Sequence, residues 1–326
     1  MKKIYLILIL VATLALYAYP VEAQLKTSDV TLNITPLFPT PNQTVSANLE
    51  SFAIDLDKTN IAWLLNSQEK ISGVGKKAFS FNVGGTGVSL SIEARISTVT
   101  GQNIIKRAVI TPADIDMMWE AFDSYAPPFY RGKTMVSTEG SFKVVAMPNL
   151  INSFGKVNPA SLSYSWVKDE TPQPDLSGWG KNYFVFKNSS LDNENTISVA
   201  VSDAFGGANT QGEITLQTGT PEIIFYENNP LLGVNYDNAV RDGFLINKTG
   251  STLVAAPYFF SPNDLSSKDL SFTWSLNGEG IATPVPKNIL SIKPAEGQGG
   301  SAVIKIAINN AQTLFQSLEK ELNVSF

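Results

Sequence analysis

The sequence predicts an all-β protein built of three tandem β-sandwich domains, and three observations predict it. Short runs of alternating apolar and polar residues recur along the chain, bounded by Gly, Asn, Asp and Pro. Such period-2 runs mark half-buried strands. Three tryptophans sit in matching local settings 103 and 108 residues apart, about the length of one small sandwich domain. Of 326 residues, 43% are hydrophobic and 16% charged. That composition excludes a disordered chain and suits β-rich exported domains better than helical bundles with Glu- and Lys-rich faces.

The amino terminus reads as a secretory leader over residues 1–23. Lys2 and Lys3 give a basic start, Ile4 to Tyr19 form an apolar run, and Pro20 breaks it. Val21 and Ala23 place small residues at the −3 and −1 positions of a cleavage site, leaving Gln24 as the new terminus. The apolar run is short for a membrane span of about 20 residues, and no later stretch approaches that length. No membrane span is expected after leader removal.

The repeats then follow in order. The tryptophan motifs are Ile61-Ala62-Trp63-Leu64, Tyr164-Ser165-Trp166-Val167 and Phe272-Thr273-Trp274-Ser275. Asn66, Asp169 and Asn277 each follow three residues later, where a strand would turn. Alternating runs precede each tryptophan (Val45 to Leu49, Phe142 to Met147, Leu253 to Ala256). Others follow, at Ser72 to Phe81 and Ser177 to Phe186, with the shared frame Ser-Gly-x-Gly-Lys-x-x-Phe-x-Phe. The third repeat keeps only the end of that frame, Lys287 to Ile292. A last set of runs is Val88 to Ala94, Ile197 to Val201 and Val303 to Ile308. Domain limits fall near Thr111-Pro112 and Thr220-Pro221, giving domains at 24–111, 112–219 and 220–326.

Trp63, Trp166 and Trp274 are the expected structural core, one per sandwich. Immunoglobulin domains set such a tryptophan against an inter-sheet disulfide. This chain has no cysteine, so the expected partners are aliphatic: Val45 and Ile92, Val144 and Val199, Leu253 and Ile306. Each buried indole then contributes roughly 3–5 kcal/mol, judged by truncation costs in cores. The missing cysteines also exclude thiolate metal sites. The chain has no histidine either, which removes the commonest general base and every Ser-His-Asp or Cys-His arrangement. The net charge is −5 without a basic cluster, so nucleic acid is not expected as a partner.

The run Ile197-Ser198-Val199-Ala200-Val201-Ser202-Asp203-Ala204-Phe205-Gly206 resembles the penultimate strand of PKD domains, immunoglobulin-like modules of surface proteins. The PKD turn after the tryptophan is absent, since Val167-Lys168-Asp169 follows Trp166. The Ser-Gly-x-Gly-Lys frame, the Ser124-Tyr125-Ala126-Pro127-Pro128-Phe129-Tyr130 segment and the three-domain layout are similar to exported PKD-domain proteins of candidate-phyla (Patescibacteria-type) bacteria. The resemblance implies an extracellular or cell-surface location, beside pilus or secretion components, and no defined activity.

Candidate contact residues are the loop aromatics Trp179, Tyr125, Phe129 and Tyr130. Such residues stack on sugars or anchor protein partners; the competing reading packs them against the neighbouring domain. Gly73-Val74-Gly75-Lys76 and Gly178-Trp179-Gly180-Lys181 lack the spacing of a phosphate-binding loop and read as hairpin turns or bulges. Acidic pairs at Asp55 and Asp57, Asp114 and Asp116, Asp192 and Glu194, and Asp264 and Asp269 match no calcium-loop pattern. The expected function is therefore non-enzymatic. It needs no metal or cofactor and acts as spacer and interaction module toward other cell-envelope or surface proteins. A carbohydrate-binding array that uses the loop aromatics on glycans is the alternative.

Overall fold

The computed structural model describes residues 29–152, 154–204, 209–297 and 299–326. The expected leader and its cleavage point lie outside them, as do residues 205 and 206 of the PKD-like run. Among the described residues there are strands and short 3-10 turns but no α-helix. The chain separates into two compact units, one ending at Pro112 and one beginning at Ala113. The first contains one hydrophobic core and the second contains two. Each core lies between two sheets of mainly antiparallel strands, so the protein is a tandem of immunoglobulin-like sandwiches.

In the first sandwich, Thr31–Thr35, Thr44–Glu50 and Ala78–Asn82 form a three-stranded sheet. The opposing sheet runs Gln68–Val74, Asn60–Leu65, Leu90–Ser97, Asn103–Ile110. The second repeats this with Tyr183–Lys187, Ser141–Asn149 and Asp114–Glu120 against a sheet centred on Ser163–Lys168, Glu194–Ser202 and Asn209–Gly219. The third sets Glu222–Asn229, Ser251–Tyr258 and Ile289–Ile292 against Leu270–Leu276, Ser301–Asn310 and Ser317–Ser325. It adds an extra hairpin strand, Gly233–Ala239, beside Glu222–Asn229. Short parallel strands, Val136–Ser137 and Phe244–Leu245, also extend the tryptophan sheets of the second and third sandwiches.

The three indoles are fully buried, each on the second strand of its sheet. Across the ladder Trp166 faces Val199 and Trp274 faces Ile306. In the first sandwich Ala94 takes that place, and the expected partner Ile92 lies opposite Leu65, two residues along the same face. Val45, Val144 and Leu253 close the cores from the opposing sheets. The Phe-x-Phe frame supplies ring partners at Phe79 and Phe184, with centroids 6.0 and 5.5 Å from their tryptophans. The third repeat has Leu290 there, and Phe225 meets Trp274 at 6.2 Å instead.

One expectation is corrected. The runs Ser72 to Phe81 and Ser177 to Phe186 are neither single strands nor hairpins. Each begins on the tryptophan sheet, at Gln68–Val74 or Gly178–Trp179, and ends on the opposing sheet, at Ala78–Asn82 or Tyr183–Lys187. The Gly-x-Gly-Lys segment makes the crossing. Gly75 and Gly180 take positive φ values of 73° and 68°. A Cβ on either would stand 3.2 or 3.1 Å from a backbone oxygen, Asp57 O or Ala160 O. Only glycine satisfies both demands at once.

The crossing has a purpose inside the core. Its lysine carbonyl accepts the indole N–H: Trp63 to Lys76 at 2.7 Å, Trp166 to Lys181 at 2.9 Å and Trp274 to Lys287 at 2.8 Å. A buried indole N–H needs such a partner. A second device also recurs three times. Asn66, Asp169 and Asn277 have positive φ, as do the residues after them, Ser67, Glu170 and Gly278. That is the pattern of a two-residue type I′ hairpin. Their side-chain oxygens accept the amides of Ser91, Thr196 and Val303 at 2.8–2.9 Å, and their own amides return bonds to the same residues' carbonyls.

Candidate interaction surfaces

The predicted contact aromatics fall in two places. Trp179 lies on a two-residue strand paired with Ser163 and Tyr164 rather than at a loop tip, and it is 59% exposed. The pairing follows from the crossing, whose flanking glycines turn the chain on either side of it. Phe129 has positive φ and is 90% exposed. Tyr125 and Tyr130, close to it in sequence, meet the third sandwich. The Tyr125 amide donates to Phe260 O at 2.7 Å, and its carbonyl accepts from Phe259 N at 2.8 Å. Tyr130 packs edge-on against Tyr258 and Phe259, with centroids 5.7 and 6.1 Å away.

These contacts belong to a tyrosine-rich junction. Tyr226 and Tyr258 share a hydroxyl hydrogen bond of 2.6 Å, and Tyr236 packs edge-on to Tyr226 at 5.1 Å. Burial pushes the Tyr125 phenol up to about 12, and burial followed by the bond to Tyr226 pushes Tyr258 up as well. A polar set flanks the rings. Asn263 Nδ2 donates to Phe122 O at 2.8 Å, the Phe315 amide donates to Glu139, and Gln316 Nε2 donates to Thr138 O. Asp123 accepts the Ser141 amide at 2.8 Å and the Ser261 hydroxyl at 3.3 Å. Desolvation by burial raises its pKa from the ordinary carboxylate range, outweighing those hydrogen bonds.

Several of the acidic residues are engaged locally. Asp55 caps the turn Leu56–Lys58 and bonds Lys58 at 2.9 Å, and Asp57 pairs with Lys77 at 2.9 Å. Asp192 meets Lys168 at 3.1 Å, and Asp264 accepts from Ser266. Among the described residues no group of three or more Asp or Glu side chains gathers at metal-binding range. No helix among them is long and apolar enough to cross a membrane.

Sequence reasoning missed one surface, the outward face of the three-stranded sheet in the second sandwich. Met118, Val145 and Tyr183 form one row across its strands. Met147 and Val185 extend the patch in the adjoining rows. Met118 is 60% exposed and Tyr183 57%, and Met147 and Val185 are also exposed. The signal was in the sequence: Val144-Val145-Ala146-Met147 and Tyr183-Phe184-Val185-Phe186 lose the polar alternation kept by Thr44-Val45-Ser46-Ala47-Asn48 and Ala78-Phe79-Ser80-Phe81-Asn82.

No protein-family model matches the chain, and no curated protein does. Solved structures similar to it include the Clostridium thermocellum CbhA fibronectin(III)-like modules, at 12% identity and TM-score 0.28 over 58% of this chain and 93% of that one. The three N-terminal domains of the bacteriophage RB49 outer capsid protein Hoc align at 10% identity and TM-score 0.25, over 91% and 97%. The central fibronectin-III array of RIM-binding protein aligns at 9% and 0.28, over 91% and 95%. Likeness at this level carries no weight for any particular function.

Proposed function

We propose that the chain is an exported, non-enzymatic surface protein. Its three immunoglobulin-like domains, at 24–111, 112–219 and 220–326 after a leader of 1–23, act as spacer and protein-interaction module in a cell-envelope assembly associated with pili or secretion. The observation that carries this reading is a contrast between inside and outside. The interior devices repeat three times: the buried indole, its lysine carbonyl and the clamped turn. The outward faces do not repeat. A constant frame with diverging surfaces suits a protein whose domains hold position while individual faces meet partners. Trp179 and Phe129 are the proposed contact residues.

The test is made on intact cells. Mass spectrometry of the exported protein is expected to find Gln24 as its terminus. A photo-crosslinking residue at position 179 or 129 is expected to trap an envelope protein, while one at buried position 199 traps none. Retention of the chain in the cytoplasm would end this reading.

The second reading, glycan binding, is favoured by one observation: the Trp179 indole stands 59% exposed on the two-residue strand that opens the crossing. Stacking on a sugar face needs such an exposed ring. Binding to a glycan array that disappears in Trp179→Ala would favour it over protein contact.

A further inference from the structure

Inside the second unit, the trailing end of one sandwich receives the leading end of the next. The second sandwich presents the turn Ser137 to Gly140, closed by a bond from Gly140 N to Ser137 O at 2.9 Å. The third sandwich rests on that turn. Gln316, the residue before its last strand, donates through Nε2 to Thr138 O, and the Phe315 amide donates to Glu139 at 3.0 Å. Phe259, just past the strand Ser251–Tyr258, brings its ring to the end of the second sandwich's last strand, where a Cβ on Gly219 would stand 3.0 Å from it.

The receiving half recurs at the trailing end of the third sandwich. Lys248-Thr249-Gly250-Ser251 stands where Thr138-Glu139-Gly140-Ser141 does, at the start of the matching strand, and Gly250 N closes the same turn onto Asn247 O at 2.8 Å. This turn borders an open cleft of about 610 Å³ lined by Ile246, Lys248, Pro294, Ala295, Glu296 and Phe326, within the size range of binding pockets. The donating half recurs at the leading end of the first sandwich. Gln102 precedes the last strand Asn103–Ile110 as Gln316 precedes Ser317–Ser325. Thr98 N bonds Gln102 O at 2.9 Å, and Asn310 N bonds Gln316 O at the same 2.9 Å. Phe52, just past the strand Thr44–Glu50, is fully exposed. One difference is informative. Gln316 Oε1 accepts from Ser261 N and Asn310 Nδ2, whereas Gln102 Oε1 is buried without a partner. An unmade bond of that kind costs free energy that a contact turning the amide outward recovers.

We infer that the trailing end of the third sandwich docks the leading end of the first sandwich of a second copy, head to tail. Gln102 then rests on the turn Asn247 to Gly250 as Gln316 rests on Ser137 to Gly140, and Phe52 enters the cleft beside Phe326. The occupant is set by the internal precedent. What covers this kind of end within the second unit is the leading end of an immunoglobulin-like sandwich, and the first sandwich supplies one with the same glutamine. The contact continues, in a second copy, the interface between the second and third sandwiches. It is heterologous, so a pair of copies retains one free end of each kind, and the assembly grows by addition unless it closes into a ring. A short linker gives an in-chain junction an effective concentration of about millimolar. The contact between copies lacks that help and is weak in dilute solution. This assembly goes beyond the proposed function and does not depend on where the protein resides.

The test is sedimentation equilibrium of the chain from Gln24 to Phe326, carried to about millimolar concentration. Reversible association is expected. Phe52→Glu blocks the leading end and Ala295→Arg the trailing end, both at exposed positions. Each alone is expected to raise the Kd at least tenfold while far-ultraviolet circular dichroism stays unchanged. Mixed in equal amounts, the two variants keep one intact end of each kind. The mixture is expected to form a dimer with a Kd within about threefold of the unaltered chain, and nothing larger. Gln102→Ala is expected to weaken association several-fold. If Phe52→Glu does not fold, Val99→Glu on the neighbouring exposed loop takes its place. A chain that stays monomeric throughout overturns the inference, as does association insensitive to either blocking variant or a mixture no more associated than its components. Each of those results leaves surface export and partner crosslinking untouched.

Discussion

Trp166 donates its indole N–H to the main-chain oxygen of Lys181 at 2.9 Å, and the same bond recurs at Trp63 with Lys76 and at Trp274 with Lys287. The bond joins the middle of one sheet to the crossing that leads to the other. It works as a link between layers in a chain that has no disulfide. Trp166→Phe keeps a ring in the core but leaves the Lys181 carbonyl without its partner, which costs about 1–3 kcal/mol. Trp166→Ala also opens a cavity and costs about 3–5 kcal/mol. Lys181→Ala retains the carbonyl and is expected to change stability little. Urea unfolding followed by circular dichroism orders the three variants, and a Lys181→Ala loss as large as that of Trp166→Phe would contradict the bond's role.

The turn clamp separates conformation from hydrogen bonding. Asn277 sits at φ 50° and accepts the Val303 amide at 2.8 Å. Asn277→Gly removes the cost of positive φ but loses the clamp, whereas Asn277→Ala loses the clamp and still carries that cost. Alanine is therefore expected to destabilise by about 1–2 kcal/mol more than glycine, taking the left-handed penalty as about that size. The comparison is read as the difference in urea midpoint between the two variants. Equal midpoints would mean that the backbone conformation contributes nothing at this turn.

Much of this frame was legible in the sequence. The spacing of Trp63, Trp166 and Trp274 located the cores, and the turn positions of Asn66, Asp169 and Asn277 could be read from their fixed distance to the indole. The indole's acceptor was not legible, because a main-chain oxygen leaves no trace in residue type. The repeated lysine marks the place, yet its side chain is not the partner. The crossing at Gly73 to Lys76 was misread because a chain passing between sheets keeps the same inward alternation as a single strand. Val136–Ser137 and Phe244–Leu245 were invisible because two residues carry no period. Among the candidate contact residues, the loop aromatics stood out by type alone, and their environments came only with the fold: Tyr125 and Tyr130 at the junction, Trp179 and Phe129 in solvent.

Asp123 gives the second unit a pH dependence. Burial raises its pKa in the folded state above the unfolded value. The native state then holds the proton more tightly, and by linkage its contribution favours folding below the unfolded pKa and is lost as pH rises through the folded one. At neutral pH the charged group is a liability offset only in part by Ser141 and Ser261. Asp123→Asn keeps an acceptor for the Ser141 amide without the charge. It is expected to raise Tm at pH 7, with the gain shrinking as the pH falls through the carboxylate range. Calorimetric scans from pH 3 to 7 give the difference, and a gain that grows toward acid would reverse the assignment.

Tyr130 is the last test, because it tells a junction residue from a merely exposed one. Its ring meets Tyr258 and Phe259 of the third sandwich, whereas Phe129 beside it is 90% exposed. Edge-on aromatic pairs contribute about 0.5–1.5 kcal/mol each beyond area burial. Losing two of them weakens the coupling between the second and third sandwiches while leaving both cores intact. Tyr130→Ala is therefore expected to broaden or split the unfolding transition of the second unit in calorimetry, as one sandwich melts ahead of the other. Phe129→Ala is expected to leave the same transition unchanged, since its side chain is 90% exposed. If the two variants melt alike, the Tyr130 contacts do not couple the sandwiches, and the junction rests on Asp123, Asn263 and Gln316 instead.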